Sequence, residues 1–360
     1  MIPFFRGYLY SKGMHGLAFL ALLASFTAKY ISPLPPLPEA EVRMMPKEVK
    51  AIYVTSGTAH LPKRMEELRR LVRDTELNAM VINTKEPYGP KMDEGLKEVL
   101  TQLHKEHVWT IARHVMFQDD DLAARRPELA LKRANGSLWK DAGGRAWMDP
   151  ANKEVWEYNL SLMRQALGLG FDEVNLDYIR FPTDGDVVNA RYPSWDGKTP
   201  KEEVLKEFLS WLNPRLKAGY PGAVLSIDVY GETFLRDFAG STGQRMTALA
   251  PEVDVVAPMV YPSHYRSGNF GIQNPAAYPY EIVNGTLEKG KPLFANAPGT
   301  IVRPWLQDFH LGAHYTPQMV RAQMTATTDA GDVNGWMLWN PKNVYSEAAL
   351  HDANATDQPE

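Results

Sequence analysis

The chain has 360 residues, of which 44% are hydrophobic and 23% charged, the balance of a globular protein long enough to bury a large core. A formal charge of −4 with no basic stripe argues against a nucleic-acid partner. The absence of cysteine removes disulfides, thiolate catalysis and cysteine-based zinc sites.

At the N-terminus, Arg6 and Lys12 precede an apolar run from Gly16 to Ala28, whereas a full membrane span needs about 20 residues. Residues 1–31 therefore read as an export signal, with an uncleaved signal-anchor from about Gly13 to Ile31 as the alternative. The protein is expected outside the cytoplasm: secreted, periplasmic or tethered to a membrane. Residues 32–46 begin Ser-Pro-Leu-Pro-Pro-Leu-Pro and form an extended, semi-rigid spacer. The folded domain is expected over 47–345, followed by a polar tail at 346–360.

Within that domain, strand-like and helix-like stretches alternate. A strand at Val49–Thr55 leads to a helix at Pro62–Asp74 that opens on proline. Next come a strand at Asn78–Thr84, a helix at Asp93–Glu106 and a strand at Val108–Val115. A long connection with Trp139 and Trp147 precedes a helix from Lys153 to Leu167. The fourth strand lies in Gly170–Pro182, before a helix at Pro200–Lys217. Strands at Ala223–Tyr230 and Asp254–Tyr261 follow, then a helix at Tyr280–Lys289. The last units are a strand at Ile301–Gln307, a helix at Pro317–Ala330 and a strand at Gly335–Trp339. Such alternation implies a parallel sheet with right-handed crossovers, and eight units suit a (β/α)8 TIM barrel. An open doubly wound sheet is the runner-up. It lacks its phosphate turn, because Ser56-Gly57-Thr58 does not match G-x-G-x-x-G.

In a barrel, functional side chains gather at the C-terminal ends of the strands. Side chains alternate along a strand, so Val174 and Leu176 face the helices while Glu173, Asn175 and Asp177 face inward. By the same alternation Ser226 and Asp228 face inward on the fifth strand. Neighbouring strands lie about 4.8 Å apart, a spacing that allows carboxylates on adjacent strand ends to come within the range glycoside hydrolysis requires, about 5–5.5 Å for retention or 6.5–9.5 Å for inversion. Such a pair needs one protonated and one ionised member, states that a shared pocket favours through like-charge repulsion. The plainer readings are a loop cap or a pair with Arg180 for Asp177, and a turn-forming role before Gly231 for Asp228. Other polar strand ends are Lys85, Glu86, Arg113 and Asp308. Tyr178, Tyr261 and Trp339 offer rings on which flat sugar faces stack, and Trp305 reads as a core residue. His104 with His107, and His310 with His314, do not complete a three-ligand zinc set. No metal or cofactor is expected, and no Gly-x-Ser-x-Gly elbow occurs.

The stretch Phe171-Asp-Glu-Val-Asn-Leu-Asp-Tyr-Ile-Arg-Phe-Pro182 resembles the signature of a family of predicted glycoside hydrolases with a TIM-barrel fold. Ala51-Ile-Tyr-Val-Thr55, Val253–Tyr265 and Arg303-Pro-Trp-Leu-Gln-Asp-Phe309 resemble further motifs of that family, in the same order. The resemblance spans about residues 48–345. It implies a carbohydrate-active barrel, with Asp177 as a catalytic acid and Arg180, Tyr261 and His264 lining the site. The sequence departs from the family pattern at the second strand, which reads Asn83-Thr84-Lys85-Glu86 where Asp-Val-Lys-Asp is usual. An acid/base role at Asn83 is thereby in doubt.

The reading that follows is an exported hydrolase of a polysaccharide or cell-wall glycan. Asp177 serves as nucleophile or stabiliser and Asp228 as acid/base, with Glu232 or Asp308 as substitutes for Asp228. Lys85, Glu86, Arg113, Tyr178, Arg180, Tyr261, His264, Asp308 and Trp339 are expected to bind substrate. The alternatives are a non-catalytic carbohydrate-binding barrel and a metal-dependent glycan deacetylase.

Overall fold

The computed structural model describes residues 43–353. The expected leader and most of the spacer lie outside the described residues. Eight parallel staves close on themselves: β1 (Val49–Val54), β2 (Ala79–Glu86), β3 (Trp109–Val115), β4 (Glu173–Asp177), β5 (Val224–Tyr230), β6 (Val255–Met259), a β7 in two pieces (Ile301–Val302 and Trp305–Gln307), and β8 (Gly335–Trp339). The seam decides between barrel and open sheet. β1 pairs with β2 through Ala51 and Ala79, and with β8 through Val49 and Gly335, so no edge remains. A short hairpin strand, Gly89–Pro90, folds back antiparallel on the end of β2.

Helices fill the crossovers. Among them are α1 (Pro62–Asp74), α2 (Glu94–Lys105), α3 (Lys153–Leu169), α4 (Lys201–Gly219), the single turn α5 (Met246–Leu249), α6 (Pro279–Gly290) and α7 (Pro317–Ala330). Side-chain oxygens of Asp93, Asn152 and Thr316 cap α2, α3 and α7 by accepting from backbone N–H groups that have no partner within the helix. Gly170, at φ 120°, ends α3 and turns the chain into β4.

The apolar side chains form two layers. Inside the barrel, Val49, Ala51, Ala79, Val81, Ile111 and Met337 pack together. Between staves and helices lie Ile52, Leu100, Met163, Leu209, Val256 and Leu338. Each large side chain so buried contributes roughly 1.5–3 kcal/mol relative to exposure. The interior also holds an ion pair at the N-terminal ends of the staves: Arg303 Nη1 donates to both oxygens of Glu173 at 2.9 Å, and Trp109 Nε1 donates to Glu173 Oε2 at 3.1 Å. Both charged side chains are fully buried. They floor the barrel, so an opening forms at the other end.

Two irregularities shape that opening. The pairing of β2 with β3 slips between Asn83 and Lys85, a bulge that breaks the period-two alternation. Asn83 keeps facing the lumen and Lys85 turns away from it. The seventh stave is interrupted at Arg303-Pro304, where proline supplies no N–H to a ladder. Residues of the expected polar tail, up to 353, lie against the barrel: Thr75 bridges Asp352, and Ala349 is buried.

Candidate active site

β4 ends on Asp177, and the next residue breaks the strand. Tyr178 takes φ 53°, a left-handed conformation unusual for a residue with a side chain. Its N–H folds back to donate to Asp177 Oδ1 at 2.6 Å. The other oxygen, Oδ2, accepts from Arg113 Nη2 at the end of β3, a hydrogen-bonded ion pair. Arg113 is itself clamped: Nη1 donates to Asn83 Oδ1 at 2.9 Å, and Asn83 Nδ2 donates to Tyr53 Oη and to Glu86 Oε1, each at 2.7 Å. The guanidinium lies 5.1 Å from the Trp339 ring centre and 5.6 Å from that of Tyr53, and those rings stack at 4.0 Å. Four staves thus converge to fix one carboxylate.

The register that pairs Leu176 with Ile227 sets Asp228 beside Asp177 on the neighbouring stave. Asp228 Oδ1 accepts from Asn175 Nδ2 at 2.8 Å and from Trp305 Nε1 at 2.7 Å. Oδ2 makes no hydrogen bond among the described residues. Burial, and then the negative charge of Asp177, push the Asp228 carboxyl up to about 8, although Arg113 and the two N–H donors pull it back. Asp228 therefore carries a proton at neutral pH. Its neighbour sits in a salt bridge. Asp177 meets an arginine, whereas Asp228 is buried and lies beside a negative charge, and burial and charge both raise the Asp228 carboxyl.

Both open onto a cavity of about 500 Å³. Of the residues expected to bind substrate, Arg113, Tyr178, Arg180, Tyr261, His264 and Trp339 line it. Three do not. Lys85 is fully buried, its Nζ committed to the carbonyls of Val115 (2.5 Å) and Met116 (3.2 Å) and to Asp119 (2.8 Å). The bulge in β2 sends it beneath the β3 loop instead of into the lumen. Glu86 stands behind Asn83, accepting from it and from Ser56 Oγ at 3.2 Å. Asp308 accepts from the backbone N–H of Ser346 (2.8 Å) and its hydroxyl (2.7 Å), clamping the segment after β8. Glu232, the substitute acid, does line the cavity, but at an exposed position beside Arg236.

Sequence reasoning undervalued Trp305, which is 1% exposed yet donates to Asp228. It also missed Asn83 and Asn175 as partners of the site. Asn175 was legible in principle, because it shares the inward face of β4 with Asp177. Tyr230 at the end of β5, Arg236 in the short helix Glu232–Arg236 and Arg266 in the loop after β6 also line the cavity.

Residues 90–345 match the model of a family described as "Putative glycosyl hydrolase domain". The chain belongs to that family. No curated protein matches it. Among solved structures, a hypothetical protein from Ruminiclostridium thermocellum is 32% identical, covering 49% of this chain and 97% of its own, with a TM-score of 0.44. The α-galactosidase TtGalA from Thermus thermophilus is 14% identical with a TM-score of 0.51, over 83% of this chain and 59% of its own. The spore cortex-lytic enzyme SleL from Bacillus megaterium is 13% identical with a TM-score of 0.51, over 84% of this chain and 72% of its own. At such identities the last two likenesses concern the fold, which this chain shares with them. The chain spans only 59% of the galactosidase's length.

Proposed function

We propose that this protein hydrolyses glycosidic bonds of a polysaccharide or cell-wall glycan. One observation carries the reading: Asp177 and Asp228 lie on adjacent strand ends in one cavity, with Asp177 bound to Arg113 and Asp228 buried beside it, a position that favours the protonated carboxyl. Glycoside cleavage asks for this division of labour. Asp228, through its unengaged Oδ2, donates its proton to the departing glycosidic oxygen. Asp177 faces the positive charge that develops on the sugar ring, as nucleophile or as stabilising anion. Arg113 orients Asp177, Tyr178 and Trp339 offer ring faces to the sugar, and Tyr261 and His264 border the same cavity. Membership of the family described as "Putative glycosyl hydrolase domain" supports the reading. We also propose that residues 1–31 direct the protein out of the cytoplasm, consistent with a polymeric substrate. A reporter enzyme fused after residue 46 and recovered only in the cytoplasm would contradict that.

The leaving group tests the chemistry. Once a cleaved sugar is known, Asp228→Asn should slow hydrolysis of the natural glycan by about 10²–10⁴-fold. It should spare the dinitrophenyl glycoside of the same sugar, whose leaving group needs no proton. Equal losses on both substrates would remove Asp228 from the role of general acid.

A further inference from the structure

The wall of the cavity has the opposite charge balance to the whole chain. The protein carries a formal charge of −4. The cavity is lined by four arginines (Arg113, Arg180, Arg236 and Arg266) against three carboxyl groups, Asp177, Asp228 and Glu232. Arg113 is neutralised by Asp177, and Arg236 shares Glu232 at 3.6 Å. Arg180 and Arg266 have no carboxylate within 4.0 Å among the described residues.

Arg180 is the better built of the two. Its guanidinium lies over three ring faces, at 4.9 Å from the centre of Trp147, 5.1 Å from Tyr178 and 5.3 Å from Tyr230. The polar contacts from its side chain are Nη1 to the Phe181 carbonyl at 3.2 Å and to Thr183 Oγ1 at 3.4 Å. Nε and Nη2 are uncommitted. The aromatic walls hold the cation in place by cation–π attraction. They offer no anion to satisfy its donors. A half-buried guanidinium with a free donor edge, facing a substrate cavity, is shaped to receive an oxyanion by paired N–H···O bonds. A neutral sugar hydroxyl would use one of those donors and none of the charge.

We propose that Arg180 seats an anionic substituent of the substrate, so that the glycan cleaved here is acidic: a chain bearing uronate carboxylates or sulfate esters. Arg266, exposed on the loop after β6, adds charge at the same rim. The proposal rests on the hydrolase reading for the identity of the cavity, but binding alone can test it.

The test uses the full chain carrying Asp228→Asn, which places a neutral group where the acid bears its proton and slows turnover. Calorimetry would compare galacturonate, glucuronate and mannuronate oligosaccharides with their carboxyl-reduced counterparts, and a sulfated galactan oligosaccharide with its desulfated form. We expect one acidic chain to bind at least about tenfold tighter than its neutral counterpart, with the preference shrinking at high salt. Adding Arg180→Gln should bring the ratio close to one, and Arg180→Lys, which keeps the charge and loses the fork, should leave an intermediate ratio. The uronate and sulfate arms identify which anion is seated. Equal affinity for acidic and neutral forms, a ratio that Arg180→Gln leaves unchanged in a protein that melts like its parent, or no binding of any acidic chain would overturn the proposal. Hydrolysis of neutral glycans without preference would overturn it and leave the hydrolase reading standing. Arg180-dependent binding of acidic chains that the wild-type protein never cleaves would keep it and end the hydrolase reading.

Discussion

The two oxygens of Asp228 meet different surroundings, and the difference governs how the site responds to pH. Oδ1 takes N–H donors from Asn175 and Trp305, which favour the ionised form, but burial and the charge of Asp177 outweigh them and hold the proton to about pH 8. Turnover that needs this proton should fall as pH rises through about 8. Trp305→Phe removes a donor that stabilises the carboxylate, so the alkaline limb of the kcat/KM profile should move to higher pH; a shift downward would contradict the assignment. Stability follows the same linkage. Between its ordinary value of 3.8 and about 8, folded Asp228 binds a proton that the unfolded chain releases, so this residue's contribution declines as pH rises across that window. Asp228→Asn should flatten the decline and raise the melting temperature relative to wild type above pH 8. An unchanged difference between pH 5 and pH 9 would refute it. At this scale the sequence was only partly legible. The inward face of β4 named Asp177, because alternation is local. Lys85 sat two residues beyond Asn83 on what reads as the same face, and only the bulge in the folded ladder turned it away.

Elements were more legible than residues, because their signals are repeated along the chain. Pro62 marked the start of α1, and the alternation of strand and helix gave the order of all eight staves. The exception is instructive. Ile301–Gln307 reads as one strand, yet Pro304 cannot donate to a ladder, and the stave divides around it. Closure of the barrel depends on a glycine that no pattern flags as essential. Gly335 opens β8 at φ 71°, and a Cβ there would stand 2.2 Å from the carbonyl oxygen of Val49 on β1. Gly335→Ala should therefore destabilise the fold by well over the ~1 kcal/mol at stake at unstrained glycine sites, because it forces apart the seam. Chemical denaturation measures this. A wild-type midpoint would mean that the seam yields easily.

Across the whole molecule, polar groups divide between the two ends of one barrel. At the floor, Glu173 and Arg303 form a pair with no solvent access, while at the mouth Asp177 and Arg113 form one that borders the cavity. Removing one partner of a fully buried pair leaves a charge stranded, at a cost of about 3–5 kcal/mol. Glu173→Gln should thus lower stability by roughly that amount by denaturant titration, without changing which glycans are cleaved by the protein that remains folded. A change of glycan preference would mean that the floor is not separate from the site. The barrel itself followed from eight alternating units. Its chemistry did not, since one barrel hosts many reactions, and it took the convergence of β2, β3, β4, β5, β7 and β8 on two carboxyl groups to define a site. The most direct measurement is reducing-end release from a panel of acidic and neutral polysaccharides, comparing the full chain with its Asp177→Asn variant. Hydrolysis of at least one polymer, cut by about three orders of magnitude or more in a variant that still folds, is the predicted result. Hydrolysis that proceeds at near-normal rate without the Asp177 carboxylate would contradict the account.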